Sequence, residues 1–140
     1  MGTSRSFTSL VARVILGFIF IMHGWQKLHT NGIDATTKFF TSQYIPMPTV
    51  AAYYATYVEL VGGILLILGI LMPLVSILLI ADMIGAIIYV HADKGFWNFD
   101  GGYEFPLALI AALVAVGLVD TGRTGVDGFV TSRRRRRSEV

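Results

Sequence analysis

The sequence predicts an all-α membrane protein, an antiparallel bundle of four transmembrane helices with a short amphipathic or re-entrant helix between the first two. Apolar side chains make up 54% of the 140 residues and charged side chains 14%. Soluble domains carry about a quarter charged residues, so the deficit is large. The apolar residues are also gathered into runs close to the roughly twenty residues that a membrane helix needs.

Four apolar runs define the predicted spans. They cover residues 10–28, 51–72, 74–92 and 104–120. The second and third runs are joined only by Met72 and Pro73, which predicts a tight hairpin at these two residues. Pro106 falls in the first turn of the fourth span, where a missing backbone N–H costs least.

The segment between the first two spans predicts the short additional helix. Phe39, Phe40 and Tyr44 alternate there with polar residues in a pattern typical of an amphipathic helix. Pro46 and Pro48 follow and are expected to end it before the second span.

The basic residues predict the orientation of the bundle. Lys and Arg are enriched in the cytoplasmic segments of membrane proteins. Five of the eleven basic residues form the run 133–137, and Arg5 and Arg123 fall on the same predicted side. We therefore expect both termini in the cytoplasm and the chain in a bacterial plasma (inner) membrane. Residues 1–130 are predicted to form one four-span domain, and residues 131–140 a basic, disordered tail that contacts anionic lipid.

Composition also narrows the function classes. Residues 1–132 contain six basic and eight acidic side chains. The body of the chain therefore offers no basic groove, so the expected surroundings are the lipid bilayer and not nucleic acid. Because the chain contains no cysteine, thiol chemistry and thiolate metal sites of its own are excluded.

Ionisable side chains occur inside or at the ends of the predicted spans, where each one costs about 2.5–3.5 kcal/mol near the bilayer centre. At about 1.5 Å per residue, His23 and Glu59 are expected roughly 20–21 Å from the cytoplasmic side, and Asp82 at about 14 Å. The sequence therefore predicts a polar pocket in the outer half of the bundle. Its predicted members are His23, Lys27, Glu59, His91 and Glu104, while Arg13 and Asp82 are candidates for structural polar pairs.

Helical phase supports part of this pocket. His23 and Lys27 are four residues apart and lie on one face of a helix. Asp82 and His91 are nine residues apart, about half a turn out of phase on a straight helix. His91 is therefore expected at the helix end or in the following loop.

Four motifs in combination resemble the DoxX family of small bacterial membrane proteins. H-G-x-x-K begins at His23, E-L-x-G-G begins at Glu59, A-D-M-x-G-A surrounds Asp82, and G-G-x-E ends at Glu104. The resemblance extends over about residues 10–127. It implies a four-helix membrane protein with a link to redox chemistry or oxidative stress, since the related DoxD branch is a membrane subunit of thiosulfate:quinone oxidoreductase.

The first functional hypothesis is a redox subunit that handles a quinone. A quinone reaches its site through lipid, and its reduction requires protons, which imidazole and carboxyl groups deliver. His23 and Lys27 are the candidates for contact with the quinone oxygen, and Glu59 and Glu104 for the proton relay. These four are the predicted catalytic residues.

Trp25, His91 and Trp97 are the candidates for binding the quinone itself. The two tryptophans have an alternative role in an interfacial aromatic belt. Because the chain carries no electron-carrying motif, electrons are expected from other redox proteins or membrane subunits. Another copy of the chain is a further candidate partner.

The second hypothesis is a non-catalytic subunit that anchors or assembles other proteins, with the polar cluster as a structural feature. A proton-coupled carrier is a third, although four short helices lack the second inverted half that carriers use. A haem held by His23 and His91 agrees poorly with their phase and depth. A metal site built from His23, His91, Glu59 and Glu104 is a further alternative, but the motif spacings match no known metal site. No metal site is therefore predicted.

Overall fold

The regular elements of this protein are helices throughout the part of the chain that the computed structural model describes, residues 2–120, 125–129 and 133. The five α-helices are α1 Gly2–Trp25, α2 Ile33–Ser42, α3 Pro48–Leu68, α4 Met72–Ala86 and α5 Glu104–Leu113. Three of them continue as π-helical turns, Gln26–Thr30 after α1, Ile87–His91 after α4 and Val114–Val119 after α5. Short 3₁₀ turns follow at Ala92–Lys94 and Asn98–Asp100.

Three continuous helical segments are long and apolar enough to cross a membrane. They are Phe7–Thr30, Pro48–Leu68 and Met72–Lys94. The fourth segment, Glu104–Val119, is apolar but shorter. At about 1.5 Å per residue it reaches roughly 24 Å, against a hydrocarbon core of about 30 Å. The prediction of an all-α membrane bundle is confirmed, with three long spans and one shorter one.

The four spans pack around a shared apolar core. α1 lies against α3, α3 against α4, and α4 against α5, while α1 and α5 also touch. Each span contributes one large apolar side chain that is fully buried, namely Phe20, Leu66, Leu79 and Leu113. Large apolar side chains also cover the outside of the bundle, as expected where lipid is the solvent.

Glycines bring α1 and α3 together. A Cβ atom placed on Gly17 would lie 2.5 Å from the Gly63 carbonyl oxygen, and one on Gly63 would lie 2.6 Å from the Gly17 carbonyl oxygen. Membrane helices gain their contact energy from such close packing at small residues. This close contact sets the height of α1 along α3.

The turn between α3 and α4 differs from the hairpin predicted at Met72 and Pro73. α3 ends at Leu68, because Gly69 adopts a left-handed conformation with φ of 69°. Pro73 lies in the first turn of α4, where its missing N–H needs no partner. The prediction of the second span as 51–72 is therefore wrong at its end, since the left-handed glycine ends the helix before the apolar run does.

The short helix predicted between the first two spans is present as α2. It ends at Ser42, before the Tyr44 of the predicted pattern, and Phe40 on its inner face packs against Ala52 and Ala55 of α3. Pro48 begins α3, so it starts a helix as well as ending the segment before it.

The predicted basic tail lies outside the described residues except for Arg133. The Arg133 guanidinium carbon lies 4.9 Å from the centre of the Phe129 ring. The one-domain organisation and the cytoplasmic position of the termini stay predictions.

Candidate functional site

Lys27 and Glu59 form an ion pair between the end of the first span and the middle of α3. The Lys27 Nζ atom lies 2.6 Å from Glu59 Oε2. The Glu59 side chain is 3% exposed and the Lys27 side chain 20% exposed. Removing one partner of such a pair leaves the other charge buried without compensation. The two residues therefore depend on each other.

Asp82 of α4 lies beside this pair, where its carboxyl group interacts with the Glu59 carboxyl group and with the Lys27 charge. Two ionised carboxylates this close repel each other, and a proton on either one removes the repulsion. With one such proton and the Lys27 charge, the three side chains would be electrically neutral together, as a low-dielectric interior favours. We call Lys27, Glu59 and Asp82 the polar triad.

The α3–α4 hairpin explains why Glu59 and Asp82 meet. Glu59 lies nine residues before the end of α3 at Leu68, and Asp82 lies ten residues after the start of α4 at Met72. At about 1.5 Å per residue, both carboxyl groups lie roughly 14–15 Å from the turn. The sequence-based heights set them about 6 Å apart, because the predicted second span ended too late.

Lys27 reaches the triad because α1 and α3 are also close at Gly24. A Cβ atom on Gly24 would lie 2.7 Å from the Leu60 backbone nitrogen. Lys27 lies three residues after Gly24, in the π turn Gln26–Thr30 that continues α1. π turns within helices are frequent at functional sites, since they redirect side chains.

The polar triad forms one wall of a cavity of about 280 Å³, which we call the main cavity. The remaining wall comes from α2, α3 and α4 and is mostly apolar or aromatic. Its large side chains include Phe39, Phe40, Tyr54, Met83, Tyr89 and Val90. A few charged groups in an apolar pocket are the usual composition of a small-molecule site.

α2 closes the main cavity and is linked to the triad. Phe40 is 9% exposed and lines the cavity. The buried Thr36 hydroxyl lies 3.0 Å from the Gly32 carbonyl oxygen and 3.3 Å from that of Lys27. A shift of α2 would therefore alter both the cavity wall and the backbone that carries Lys27.

His91 also lines the main cavity, although straight-helix spacing sets it half a turn from Asp82. α4 continues into the π turn Ile87–His91, and a π turn holds more residues than an α turn, which changes the phase. The His91 Nδ1 atom lies 2.6 Å from the Gly101 carbonyl oxygen. Since a carbonyl oxygen only accepts, Nδ1 carries the proton and donates.

His23 lies on the other side of the Lys27–Glu59 pair from the main cavity. It lines a second cavity of about 110 Å³, which we call the side cavity. Lys27, Glu59 and His91 line the side cavity as well as the main one. The structure therefore brings these four predicted residues together, with His23 on the opposite face of the ion pair.

Glu104 does not join them, in contrast to the predicted convergence. Its Oε2 atom accepts a hydrogen bond of 3.0 Å from the Asn98 backbone N–H, and its side chain lines neither the main nor the side cavity. Glu104 is the first residue of α5, and the loop before the helix folds back onto it. The local hydrogen bond therefore holds this carboxyl group in the loop.

Trp25 and Trp97 lie outside both cavities. Trp25 is 48% exposed and meets the His29 ring edge-on at 4.7 Å. Trp97 is 57% exposed and packs edge-on against Phe96 at 5.1 Å. Their positions agree better with the alternative prediction of an interfacial aromatic belt.

Arg13 lies near the α3–α4 turn, away from Asp82. Its side chain is 3% exposed, and a Cβ atom on Gly69 or Gly125 would overlap its guanidinium group. The carboxylates of Asp120 and Asp127 interact with it electrostatically. Arg13 is thus packed into the fold and lines neither cavity, while Asp82, the other candidate for a structural pair, lies beside Glu59.

Two lining residues, Tyr54 and Phe40, are not among the predicted site residues. The Tyr54 hydroxyl donates a hydrogen bond of 2.8 Å to the Leu78 carbonyl oxygen, which ties α3 to α4 beside the cavity. The amphipathic pattern of α2 marks the face on which Phe40 lies. That pattern alone does not distinguish a face on protein from a face on lipid.

The arrangement supplies acid–base groups and hydrogen-bond donors. Lys27 supplies N–H donors, Glu59 and Asp82 place two carboxyl groups side by side, and His23 and His91 each add an imidazole. Over residues 2–120, 125–129 and 133, no group of three or more His, Asp or Glu residues lies close enough to hold a metal ion.

These features define a class, the small helical membrane proteins with a polar cluster at a ligand-sized internal cavity. Comparison with known proteins then gives the family. The DoxX family model matches residues 8–92, which include the whole polar triad. The chain belongs to the DoxX family.

Three relatives show how widely this family is distributed. The chain is 34% identical to the Bacillus subtilis protein named "Putative oxidoreductase CatD", over 93% of this chain and 92% of that one. It is 31% identical to the Escherichia coli "Inner membrane protein YphA", over 90% and 92% of the two chains. An uncharacterized membrane protein of Mycobacterium tuberculosis is 26% identical over 86% and 80%. No solved structure gives a significant match.

Proposed function

We propose that this DoxX-family protein is a membrane subunit of a redox complex that binds a quinone-like, lipid-soluble ring in the main cavity. The observation that carries the proposal is the polar triad on one wall of a cavity whose other walls are mostly apolar. A redox role for a relative is indicated by the name of the Bacillus subtilis protein, which supports the choice of ligand class.

The size of the main cavity limits what it holds. Its volume of about 280 Å³ is at the small end of ligand pockets, which typically measure roughly 300–1,000 Å³. One substituted ring fits, whereas a long isoprenoid tail would extend out between the helices. Phe40, Tyr54 and Tyr89 offer aromatic surface against which a flat ring packs.

The polar triad matches the oxygens of such a ring. Quinone carbonyl oxygens accept hydrogen bonds and donate none. The Lys27 ammonium has three N–H donors, of which Glu59 takes one. The other two Lys27 N–H groups remain for an acceptor in the cavity.

The same groups suit proton-coupled chemistry. A bound quinone supplies a site that takes up two electrons and two protons. We propose that Asp82 and Glu59 share one transferable proton at the cavity wall, and that Lys27 stabilises negative charge next to it. We propose that electrons come from a partner redox protein that docks on the complex.

We also propose a bacterial inner membrane with both termini in the cytoplasm. The Escherichia coli relative is named as an inner membrane protein, and the basic residues of the chain favour this orientation. The polar triad would then lie near the middle of the bilayer, where a ligand arrives through lipid.

An accessory subunit without a ligand is the second candidate. The observation in its favour is that Lys27 and Glu59 already satisfy each other at 2.6 Å, as a purely structural bridge would. In that case the polar triad would fix the register of α1, α3 and α4, and the main cavity would have no function.

Equilibrium binding of a short-tailed benzoquinone or naphthoquinone to the protein in lipid nanodiscs tests the proposal. We expect saturable binding that Glu59→Gln and Asp82→Asn each weaken by roughly tenfold, the effect of losing one charge-assisted hydrogen bond. Glu104→Gln is the matched control, because this carboxyl group lies outside the cavity and its loss should leave binding unchanged.

Asp82→Asn keeps a hydrogen-bonding side chain of the same size and is the variant most certain to fold. Binding that is absent in the wild type, or unaffected by both cavity variants, would overturn the quinone proposal and favour the accessory subunit.

A further inference from the structure

Three spaces follow one another across the bundle, and neighbouring spaces share side chains. The first is an open groove of about 300 Å³ on the surface of the first span, which we call the outer groove. Met22, His23, Trp25, Gln26 and Thr30 line it. The side cavity comes next and the main cavity last. Of the residues that line the outer groove, His23 alone also lines the side cavity.

The side cavity in turn meets the main cavity at the polar triad. Lys27 and Glu59 line both, and Glu59 lies beside Asp82. His23 therefore lies between the outer groove and the side cavity, and Lys27 and Glu59 lie between the side cavity and the main one.

We propose that His23 passes protons from the outer groove through water in the side cavity to the Glu59–Asp82 pair. This path rests on the proposed function, because it replaces the proton that the pair gives up in the main cavity. In this path His23 transfers protons from the side cavity and does not contact the ligand, which binds in the main cavity.

The side cavity has the size and polarity that ordered water needs. Its volume is about 110 Å³, and a water molecule's share of liquid volume is about 30 Å³. A buried water typically needs two to four polar partners. His23, Lys27, Glu59 and His91 provide them, while Phe20, Phe105 and Leu109 form the apolar walls.

His23 is better placed than His91 to pass a proton on. A relay imidazole accepts a proton at one nitrogen and releases one from the other. The His91 Nδ1 atom is held by the Gly101 carbonyl oxygen at 2.6 Å. The His23 ring contacts Phe105, with centroids 5.9 Å apart, and has no hydrogen-bond partner among the described residues. Both of its nitrogens are available.

The proposed transfer moves protons only, so no electron carrier takes part. A water in the outer groove gives a proton to one His23 ring nitrogen, and the other nitrogen releases a proton to water in the side cavity. That water protonates Glu59 or Asp82 after the pair has lost its proton. No covalent bond other than O–H and N–H changes.

Infrared spectroscopy of the nanodisc-embedded protein tests this path without any ligand. The protonated carboxyl pair gives a C=O stretching band that shifts on transfer to D₂O, and Asp82→Asn identifies the band by removing it. We expect His23→Phe to slow the exchange of this band by about tenfold or more, as loss of a positioned acid–base group does. His29→Phe is the matched control, because His29 lines none of the three spaces and should leave the rate unchanged.

Free imidazole provides the second readout, since the outer groove is open and large enough for it. Added imidazole should restore fast exchange in His23→Phe, which a purely structural role would not allow. If His23→Phe does not fold, His23→Gln keeps the polarity without the relay and should slow exchange equally. Unchanged exchange in a folded His23 variant, or slow exchange that imidazole does not restore, would overturn the path.

Quinone binding measured on the same samples separates the two proposals. Normal binding together with slow exchange in His23→Phe supports both. Slow exchange that imidazole restores, in a protein whose wild type binds no quinone, would end the quinone proposal and leave the proton path standing.

Discussion

Two ends of the same bundle treat buried charge in opposite ways. Near the α3–α4 turn, Arg13 is enclosed by backbone, with Gly69 and Gly125 close against its guanidinium group. At the level of the polar triad, Glu59 is equally buried, at 3% exposure, but two cavities adjoin it. Around Arg13 the neighbouring atoms are in van der Waals contact, whereas beside the polar triad there is open space.

The two ends show how a buried charge with a structural role differs from one with a functional role. Both ends carry the cost of buried ionisable groups, so burial alone does not mark a site. The space around the charge does, because a ligand or water needs volume and free donors. The packed end should therefore control stability alone, and the triad should control stability and binding.

The packed end should give the largest effect. Gly69→Ala adds a Cβ atom that overlaps the Arg13 guanidinium at a left-handed backbone position. We expect the free energy of unfolding to fall by about 2–4 kcal/mol, the sum of overpacking and backbone strain. The thermal midpoint in detergent should therefore be lower. Quinone binding to the folded fraction should be unchanged.

Gly32→Ala is the control for that substitution. Gly32 also has a positive φ, of 82°, but a Cβ atom there meets nothing within 4 Å. Gly32→Ala therefore introduces backbone strain without a steric overlap, so it should lower the free energy of unfolding clearly less than Gly69→Ala does. Equal losses at the two positions would show that Arg13 does not fill that space.

The Lys27–Glu59 pair should give the next largest effect. Lys27→Met and Glu59→Gln are each expected to cost about 3 kcal/mol, because each leaves the partner unbalanced. The double variant should recover roughly 1–3 kcal/mol relative to the sum, measured as a double-mutant cycle of unfolding free energies. Quinone binding should stay weak in all three variants. Additive losses of unfolding free energy would show that Lys27 and Glu59 do not interact. Full quinone binding by the double variant would favour the accessory subunit.

A substitution in α2 should have a moderate effect. Phe40→Ala removes a ring that packs on Ala52 and Ala55 and lines the main cavity. We expect a loss of about 2 kcal/mol in unfolding free energy, below the usual 3–5 kcal/mol for a core phenylalanine because a cavity is already present. Quinone affinity should fall severalfold in equilibrium binding. Phe99→Ala, at an 82% exposed loop position, should change neither, and equal effects would show that α2 does not close the site.

The smallest effect is expected at Gly85, on the wall of the main cavity. A Cβ atom there meets nothing within 4 Å, and Ala is favoured over Gly in a helix by about 0.5–1 kcal/mol. Gly85→Ala should leave the thermal midpoint equal or higher while lowering quinone affinity two- to threefold, roughly, as a methyl group takes up cavity volume. Gly117→Ala, where a Cβ atom would overlap Ser76, should instead destabilise. A clear loss of stability in Gly85→Ala would show that the space beside Gly85 is filled.

The sequence predicts the bundle and part of the site well, because both follow from position along a helix. His23 and Lys27 both line the side cavity, as their four-residue spacing predicts. Glu59 lies closer to the α3–α4 turn than its predicted height, because the left-handed Gly69 ends α3 at Leu68. Glu59 is therefore level with Asp82, a candidate for a structural pair, and the apolar run alone does not show where α3 ends.

The remaining differences have local causes that helical periodicity does not contain. The π turn Ile87–His91 turns His91 onto the main cavity, and no residue pattern announces it. A loop hydrogen bond from Asn98 keeps Glu104 away from the cavities. Tyr54 and Phe40 form a wall only because α2 folds onto α3.

Photoaffinity labelling with a quinone that carries a photoreactive group on its ring tests whether a quinone binds in the main cavity. The measurement is the position of the label, read by mass spectrometry on the nanodisc-embedded protein, with and without excess unlabelled quinone. We expect labels on the lining of the main cavity, at residues such as Phe40, Tyr54 or Met83, which unlabelled quinone prevents. Labels confined to lipid-facing side chains such as Phe18 and Ile77, and insensitive to competition, would contradict it.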